Sequence, residues 1–143
     1  MKASRGTGFS ILVIVLILVM GILLVRGFVA DVAVVEGRSM EPSLSSGDLV
    51  LVFRAAYGLR AGRGYLLAWS RPRSRDIVAI LRSGEPGAAI KRVSYVLFDS
   101  TVGYSVYVLG DNLYESVDSR EFGTVPMNNI LGKVVLLPRF RTR

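Results

Sequence analysis

The chain has 143 residues, 51% hydrophobic and 20% charged, with a formal net charge of +7. A composition this apolar excludes disorder, which needs low hydrophobicity with high net charge, and the length suits one domain rather than two. Histidine and cysteine are both absent. Their absence excludes disulfides, ordinary zinc sites and any catalytic set built on histidine, so no cofactor or metal is expected.

Between Arg5 and Arg26 no residue is charged, and Ile11 to Val25 reads ILVIVLILVMGILLV. A run of about 20 such residues makes a helix about 30 Å long, the thickness of a bilayer core. The sequence therefore predicts a flank over residues 1–5, a transmembrane helix over 6–25 and a β-rich domain over 26–143. A cleaved signal peptide is the other reading of such a run, but it requires small residues at −3 and −1. Cutting after Ala30 puts Phe28 at −3, and cutting after Ala33 puts Asp31 there, so a retained anchor is expected. Lys2 and Arg5 precede the helix while Arg26 and Arg38 follow it. The positive-inside bias favours, by a small margin, a cytoplasmic N-terminus. The domain then lies on the outer (trans) face of a cell membrane.

The domain reads as short strands. They are expected at Val32–Val35, Leu49–Phe53, Ile77–Leu81, Ala88–Leu97, Tyr104–Leu109 and Ile130–Leu137, separated by turn clusters such as Ser83-Gly84-Glu85-Pro86-Gly87 and Gly110-Asp111-Asn112. Strands punctuated this way predict a compact, mainly β body.

Without histidine, a serine nucleophile needs another base, and lysine is the usual substitute. The lysines are Lys2, Lys91 and Lys133; arginine does not give up its proton in a protein. Lys2 belongs to the membrane flank. Period-2 alternation puts Lys91 on one face with Ala89, Val93 and Tyr95, and burial there disfavours the charged amine. Ser39 sits in the bend Glu36-Gly37-Arg38-Ser39-Met40-Glu41-Pro42, where Gly37 permits a tight backbone path that presents a hydroxyl at a cleft edge. Each residue alone also fits a plain role, Lys91 as a solvated edge-strand lysine and Ser39 as an ordinary turn serine.

Taken together, these segments resemble the conserved boxes of type I signal peptidases. Gly37 to Leu44 followed by Gly47-Asp48 is similar to the nucleophile box, and Ile90-Lys91-Arg92-Val93 to the general-base box. Gly110-Asp111-Asn112, Ser116, Asp118-Ser119-Arg120 and Gly123 match the last box in order and spacing. Asp76-Ile77-Val78-Ala79 fits a fourth, with Arg75 where the family usually has glycine. The resemblance implies a compact signal-peptidase or LexA-like β-fold core after one N-terminal transmembrane helix. It implies a membrane-anchored Ser-Lys endopeptidase that removes signal peptides from exported preproteins after small residues at −1 and −3. By position, Ser39 is the nucleophile and its N–H an oxyanion donor. Lys91 is the general base, Ser116 orients it, and Asp118 with Arg120 forms a supporting ion pair. Gly37 replaces the serine that supplies a further oxyanion hydroxyl in some members. Lysine rather than histidine as base resembles the bacterial and mitochondrial inner-membrane branch. Only 18 residues separate Lys91 from Gly110, so the catalytic core is expected without an accessory β-domain.

Val35, Met40, Leu44 and Ile90 flank the expected dyad and are candidates for shallow apolar substrate pockets. Arg54, Arg60, Arg63, Arg71, Arg73 and Arg75 fall in a stretch without acids that also holds Trp69. Beside an anchor, this Arg54–Arg75 loop is expected to meet anionic lipid headgroups of the bilayer; no nucleic-acid motif accompanies it. The rival readings are a LexA-like self-cleaving Ser-Lys domain, which would lack the anchor, and a non-catalytic membrane-anchored binding protein.

Overall fold

The structure, a computed structural model, describes residues 5–62, 64–82, 84 and 87–137. A helix, α1 (Arg5–Phe28), runs directly into the edge strand β1 (Ala30–Val34). Among the described residues no helix is long and apolar enough to cross a membrane; side chains of α1 are described only over 8–23. The strands after β1 are β2 (Leu49–Phe53), β3 (Gly58–Ala61), β4 (Gly64–Ala68), β5 (Ile77–Leu81), β6 (Ala88–Asp99), β7 (Gly103–Leu109), β8 (Val125–Pro126) and β9 (Ile130–Leu136). One short helix, α2 (Ser119–Phe122), and 3-10 turns at Arg54–Ala56 and Met127–Asn129 complete the elements among the described residues.

The body is mainly β, a curled antiparallel sheet in the order β1-β2-β9-β5-β6-β7-β8, with β3 and β4 forming a separate hairpin. Alternation along β5 shows how one sheet carries two cores. Val78 and Ile80 join Val93, Val106, Val108 and Ile130 on one face, while Ala79 joins Val35, Met40, Leu44, Val50 and Val52 on the other. Burying a side chain such as Leu44 contributes about 1.5–3 kcal/mol.

Three expectations need correction. The alternation predicted for β6 holds through Val93 and then breaks. Val93 pairs with Val108 but Tyr95 pairs with Tyr107, so Ser94 is an extra residue on one side of the ladder. Such a bulge inverts the facing beyond it: Tyr95 turns outward and stacks on Tyr107 at 4.8 Å between ring centroids, and Val96 packs on the core instead. The Arg54–Arg75 segment is a loop only in its second half: Arg54 and Arg60 belong to a 3-10 turn and the β3–β4 hairpin, while Arg71, Arg73 and Arg75 follow β4 in irregular chain. Its Arg60 is committed to structure, donating to the carbonyls of Ile130 and Asn128 and lying over the Tyr65 ring; Arg63 is outside the described residues. The first strand also starts earlier than expected, at Ala30, where the register to Phe53 begins.

Candidate active site

Ser39 lies on the turn that follows β1. Met40 and Leu44, buried in the second core, pull this turn onto the sheet. Hydrogen bonds from Val35 N–H to the Asp48 carbonyl and from Gly47 N–H to the Val35 carbonyl, both 2.8 Å, close its base. Gly37 (φ +80°) and Gly47 (φ +90°) take left-handed backbone angles at its two ends, which glycine adopts at little cost.

Lys91 comes from β6, paired with Val78 of β5, and is only 3% exposed. Its Nζ donates to the Ser116 Oγ at 3.0 Å. Ser116 belongs to the segment between β7 and α2, which Asp118 and Arg120 hold in place. The wholly buried Asp118 carboxylate accepts from Gly110 N–H at 2.9 Å, from the Arg120 N–H at 3.2 Å and from the Arg120 guanidinium at 2.8 and 2.9 Å. The same guanidinium donates to the carbonyls of Leu113 and Ser116. Ser119 Oγ accepts from Val108 N–H at 2.9 Å, tying α2 to β7.

Gly110 is where the turn of Ser39 and the segment of Ser116 meet. A Cβ built on Gly110 would overlap the Ser116 hydroxyl and fall 2.6 Å from the Ser39 carbonyl oxygen. That carbonyl also accepts from Asn112 N–H at 3.0 Å. Ser39 and Lys91 both line one open cavity of about 420 Å³. Its walls include Val35, Met40 and Ile90, together with Ala33, Ala79, Ala88 and Ala89. Leu44 is the exception: fully buried in the second core, it does not line the cavity. It supports the turn of Ser39 from below.

Electrostatics follow from this packing. Burial lowers the Lys91 pKa; the charge of Asp118 opposes that, and the nearby Arg82 and Arg120 add to it. Burial alone would raise the Asp118 carboxyl. The hydrogen bonds from Arg120, Gly110 and Ser116 outweigh it and hold the group far below the usual carboxylate range. Lys133 is differently placed, half-exposed and ion-paired with Asp76 at 2.7 Å. Among the described residues no group of acidic side chains is clustered so as to hold a metal ion.

Sequence reasoning missed two features. Arg92, next to Lys91, makes a two-pronged pair with Asp111 at 2.7 and 2.6 Å and reaches Ser43 at 3.1 Å, joining β6 to both neighbouring segments. Both residues lie within the recognised boxes, but only the fold brings them together. The alanines of the cavity carry no signal in spacing; Ala79, Ala88 and Ala89 follow from the register of β5 on β6, which pairs Ala79 with Ile90, Ile80 with Ala89 and Leu81 with Ala88, and Ala33 comes from β1.

Comparison with known families matches residues 8–95 and 103–137 to the family described as signal peptidase, peptidase S26. The chain belongs to this signal peptidase family. It is therefore a peptidase, a hydrolase of peptide bonds, and the resemblance of its boxes to type I signal peptidases agrees with the match. The chain is 29% identical to signal peptidase I of Bacillus caldolyticus over 76% of its own length and 79% of that protein's. It is 31% identical to mitochondrial inner membrane protease subunit 2 of Schizosaccharomyces pombe over 95% of its length and 79% of the relative's. Subunit 1 of the mouse mitochondrial inner membrane protease is 30% identical, over 75% of this chain and 68% of that one.

Proposed function

We propose that this signal peptidase family member is a membrane-anchored Ser-Lys endopeptidase of the signal peptidase I kind, cutting signal peptides from exported preproteins. The observation that carries the reading is the buried Lys91 amine, held at 3.0 Å by Ser116 in the cavity that Ser39 lines. Neutral Lys91 removes the Ser39 hydroxyl proton as Oγ attacks the scissile carbonyl. The resulting ammonium gives that proton to the leaving amine, and an acyl ester remains on Ser39. Lys91, neutral again, then takes a proton from water, which hydrolyses the ester and regenerates Ser39. Ser116 accepts from the amine and fixes its direction, and Asp118 with Arg120 keeps Ser116 in place. The Ser39 N–H serves the oxyanion, with no hydroxyl from Gly37 to assist it.

The substrate class follows from the cavity walls. An extended peptide laid against the unpaired edge of β1 would direct alternate side chains at Val35, Met40, Ile90 and the alanines, a shallow apolar surface suited to small residues at −1 and −3. Helix α1 would span the bilayer from a cytoplasmic N-terminus, leaving the β domain on the outer face. The Arg54–Arg75 region would then lie against anionic headgroups. Nucleic acid has no part in this reading.

The test is cleavage, in detergent, of a preprotein with an Ala-x-Ala site. Ser39→Ala, Lys91→Ala and Lys91→Arg are each expected to lose activity, by roughly 10²–10⁴-fold for the base variants, because arginine keeps the charge but not the basicity. Full activity in Lys91→Arg would overturn the assignment of the base.

A further inference from the structure

On another part of the surface, the chain following β4 faces β7 across a second cavity of about 470 Å³, whose walls include Trp69, Ser70, Arg71, Arg73, Tyr104 and Met127. The guanidinium carbon of Arg71 lies 3.8 Å from the centroid of the Tyr104 ring. A guanidinium stacked by its face keeps its N–H edges available for a planar or tetrahedral oxyanion. Among the described residues neither Arg71 nor Arg73 has an ion-pair partner; the Arg73 backbone N–H, not its guanidinium, bonds Asp76. No acid occurs between residues 54 and 75, so the cavity is cationic.

Exposed apolar side chains lie on the elements that supply its walls. Leu66 (72% exposed), Leu67 (62%) and Trp69 (56%) stand out from β4 and the residue beyond it. Phe98 (66%) packs on Tyr104 with ring centroids 4.7 Å apart. The chain leading into this hairpin is fastened to the end of α1: Arg54 and Ala55 N–H both bond to the Val29 carbonyl, at 2.8 and 3.3 Å.

We infer that this cavity binds the phosphodiester headgroup of an anionic lipid. Arg71 and Arg73 contact the phosphate, and Trp69, Leu66 and Leu67 enter the acyl boundary beside it. The inference rests on the membrane-anchored reading and deepens it by naming the residues and the lipid chemistry. A bare phosphate or a nucleic acid would satisfy the two arginines but would leave the leucines and Trp69 in water; a lipid satisfies both sets.

Trp69 is the only tryptophan, so its fluorescence reports on the site alone. The full chain is reconstituted in vesicles of phosphatidylcholine with and without phosphatidylglycerol. Phosphatidylglycerol is expected to shift Trp69 emission to the blue and shield it from acrylamide. Removing charge with Arg71→Gln and Arg73→Gln lowers the docked-to-undocked ratio about five-fold per arginine. Arg71→Lys falls short of wild type, because an ammonium does not present paired N–H groups while stacked. Emission indifferent to phosphatidylglycerol, or unchanged in the double Gln variant, overturns the inference. Full retention in Arg71→Lys overturns the built site, leaving diffuse charge. An equal response to inorganic phosphate in pure phosphatidylcholine assigns the site to a soluble anion, and displacement from the anionic vesicles by single-stranded RNA assigns it to nucleic acid; either result overturns the lipid assignment. Cleavage of the Ala-x-Ala preprotein in detergent is expected unchanged in the double Gln variant. Failure of the catalytic reading therefore shows in Ser39→Ala cleavage, and failure of this one in Trp69 emission.

Discussion

Replacing Ser116 with alanine removes the acceptor that the Lys91 amine meets at 3.0 Å in a buried setting. A hydrogen bond from a charged donor contributes about 1.5–3 kcal/mol, and one from a neutral donor about 0.5–1.5 kcal/mol. Ser116 therefore favours the ammonium over the neutral amine, and its loss adds to the lowering that burial already imposes on Lys91. Two effects follow with opposite signs. The neutral base is populated at lower pH, so the acid limb of the kcat/KM profile moves down in pH. In the transition state, however, Lys91 becomes charged without its acceptor, and relative to the neutral ground state, which loses only the weaker bond, the loss is about 1–1.5 kcal/mol or roughly 5- to 13-fold on the alkaline plateau. The deficit is thus largest at high pH and smaller on the acid limb. The assay is a pH–rate series on an Ala-x-Ala preprotein in detergent. An acid limb that moves up in pH, or a plateau equal to wild type, would refute the role given to Ser116.

Gly110→Ala should both unfold more easily and fail to cleave. Its Cβ has no room between Ser116 and the Ser39 carbonyl, a crowding worth about 1–3 kcal/mol in denaturant titration. Arg75→Gly should stabilise the domain by about 0.5–1 kcal/mol, since Arg75 holds φ +75°, a left-handed angle costly to any residue with a Cβ; an unchanged or lower midpoint of thermal unfolding would contradict this. Acid should weaken the fold through Asp118 and Asp111, whose folded carboxyls both lie below their ordinary value. A depressed carboxylate contributes its full stability above the unfolded pKa of about 4 and loses it progressively as pH falls further. Asp118→Asn should flatten that slope in chemical unfolding measured from pH 5 downward.

The site was legible in the sequence to the extent that its chemistry was scarce. With no histidine and few lysines, elimination narrowed the candidate bases to Lys91 and Lys133, and the resemblance to the family's boxes pointed to Lys91 together with Ser39, Ser116, Asp118 and Arg120. The strands were legible wherever alternation was regular. What escaped was set by tertiary packing. The bulge at Ser94 adds one residue to β6 without any glycine or proline to mark it, so the facing of Tyr95 was misread. Leu44 has the same apolar character as Met40, and only the turn's fold separates the wall of the cavity from its support. The β3–β4 hairpin was hidden because its arginines read as headgroup contacts on a loop, although Arg60 spends its charge on the carbonyls of Ile130 and Asn128. The family glycine replaced by Arg75 was visible as a departure, and its positive φ explains why glycine suits that place.

The one-residue joint between α1 and β1 makes the edge strand a ruler as well as a wall. Eleven steps of chain connect Phe28 to Ser39, at most roughly 36 Å when fully extended at about 3.3 Å per residue. With α1 embedded, that span caps the height of the cutting point above the lipid, and the stiffness of β1 keeps it from wandering. Residues spliced in at Val29 lie outside the register of β1 on β2, so they would lift the blade while preserving which way each side chain looks. Under the proposed membrane-anchored function, where a preprotein is severed, measured from the end of its greasy stretch, would be a matter of stalk length before it is one of pocket shape.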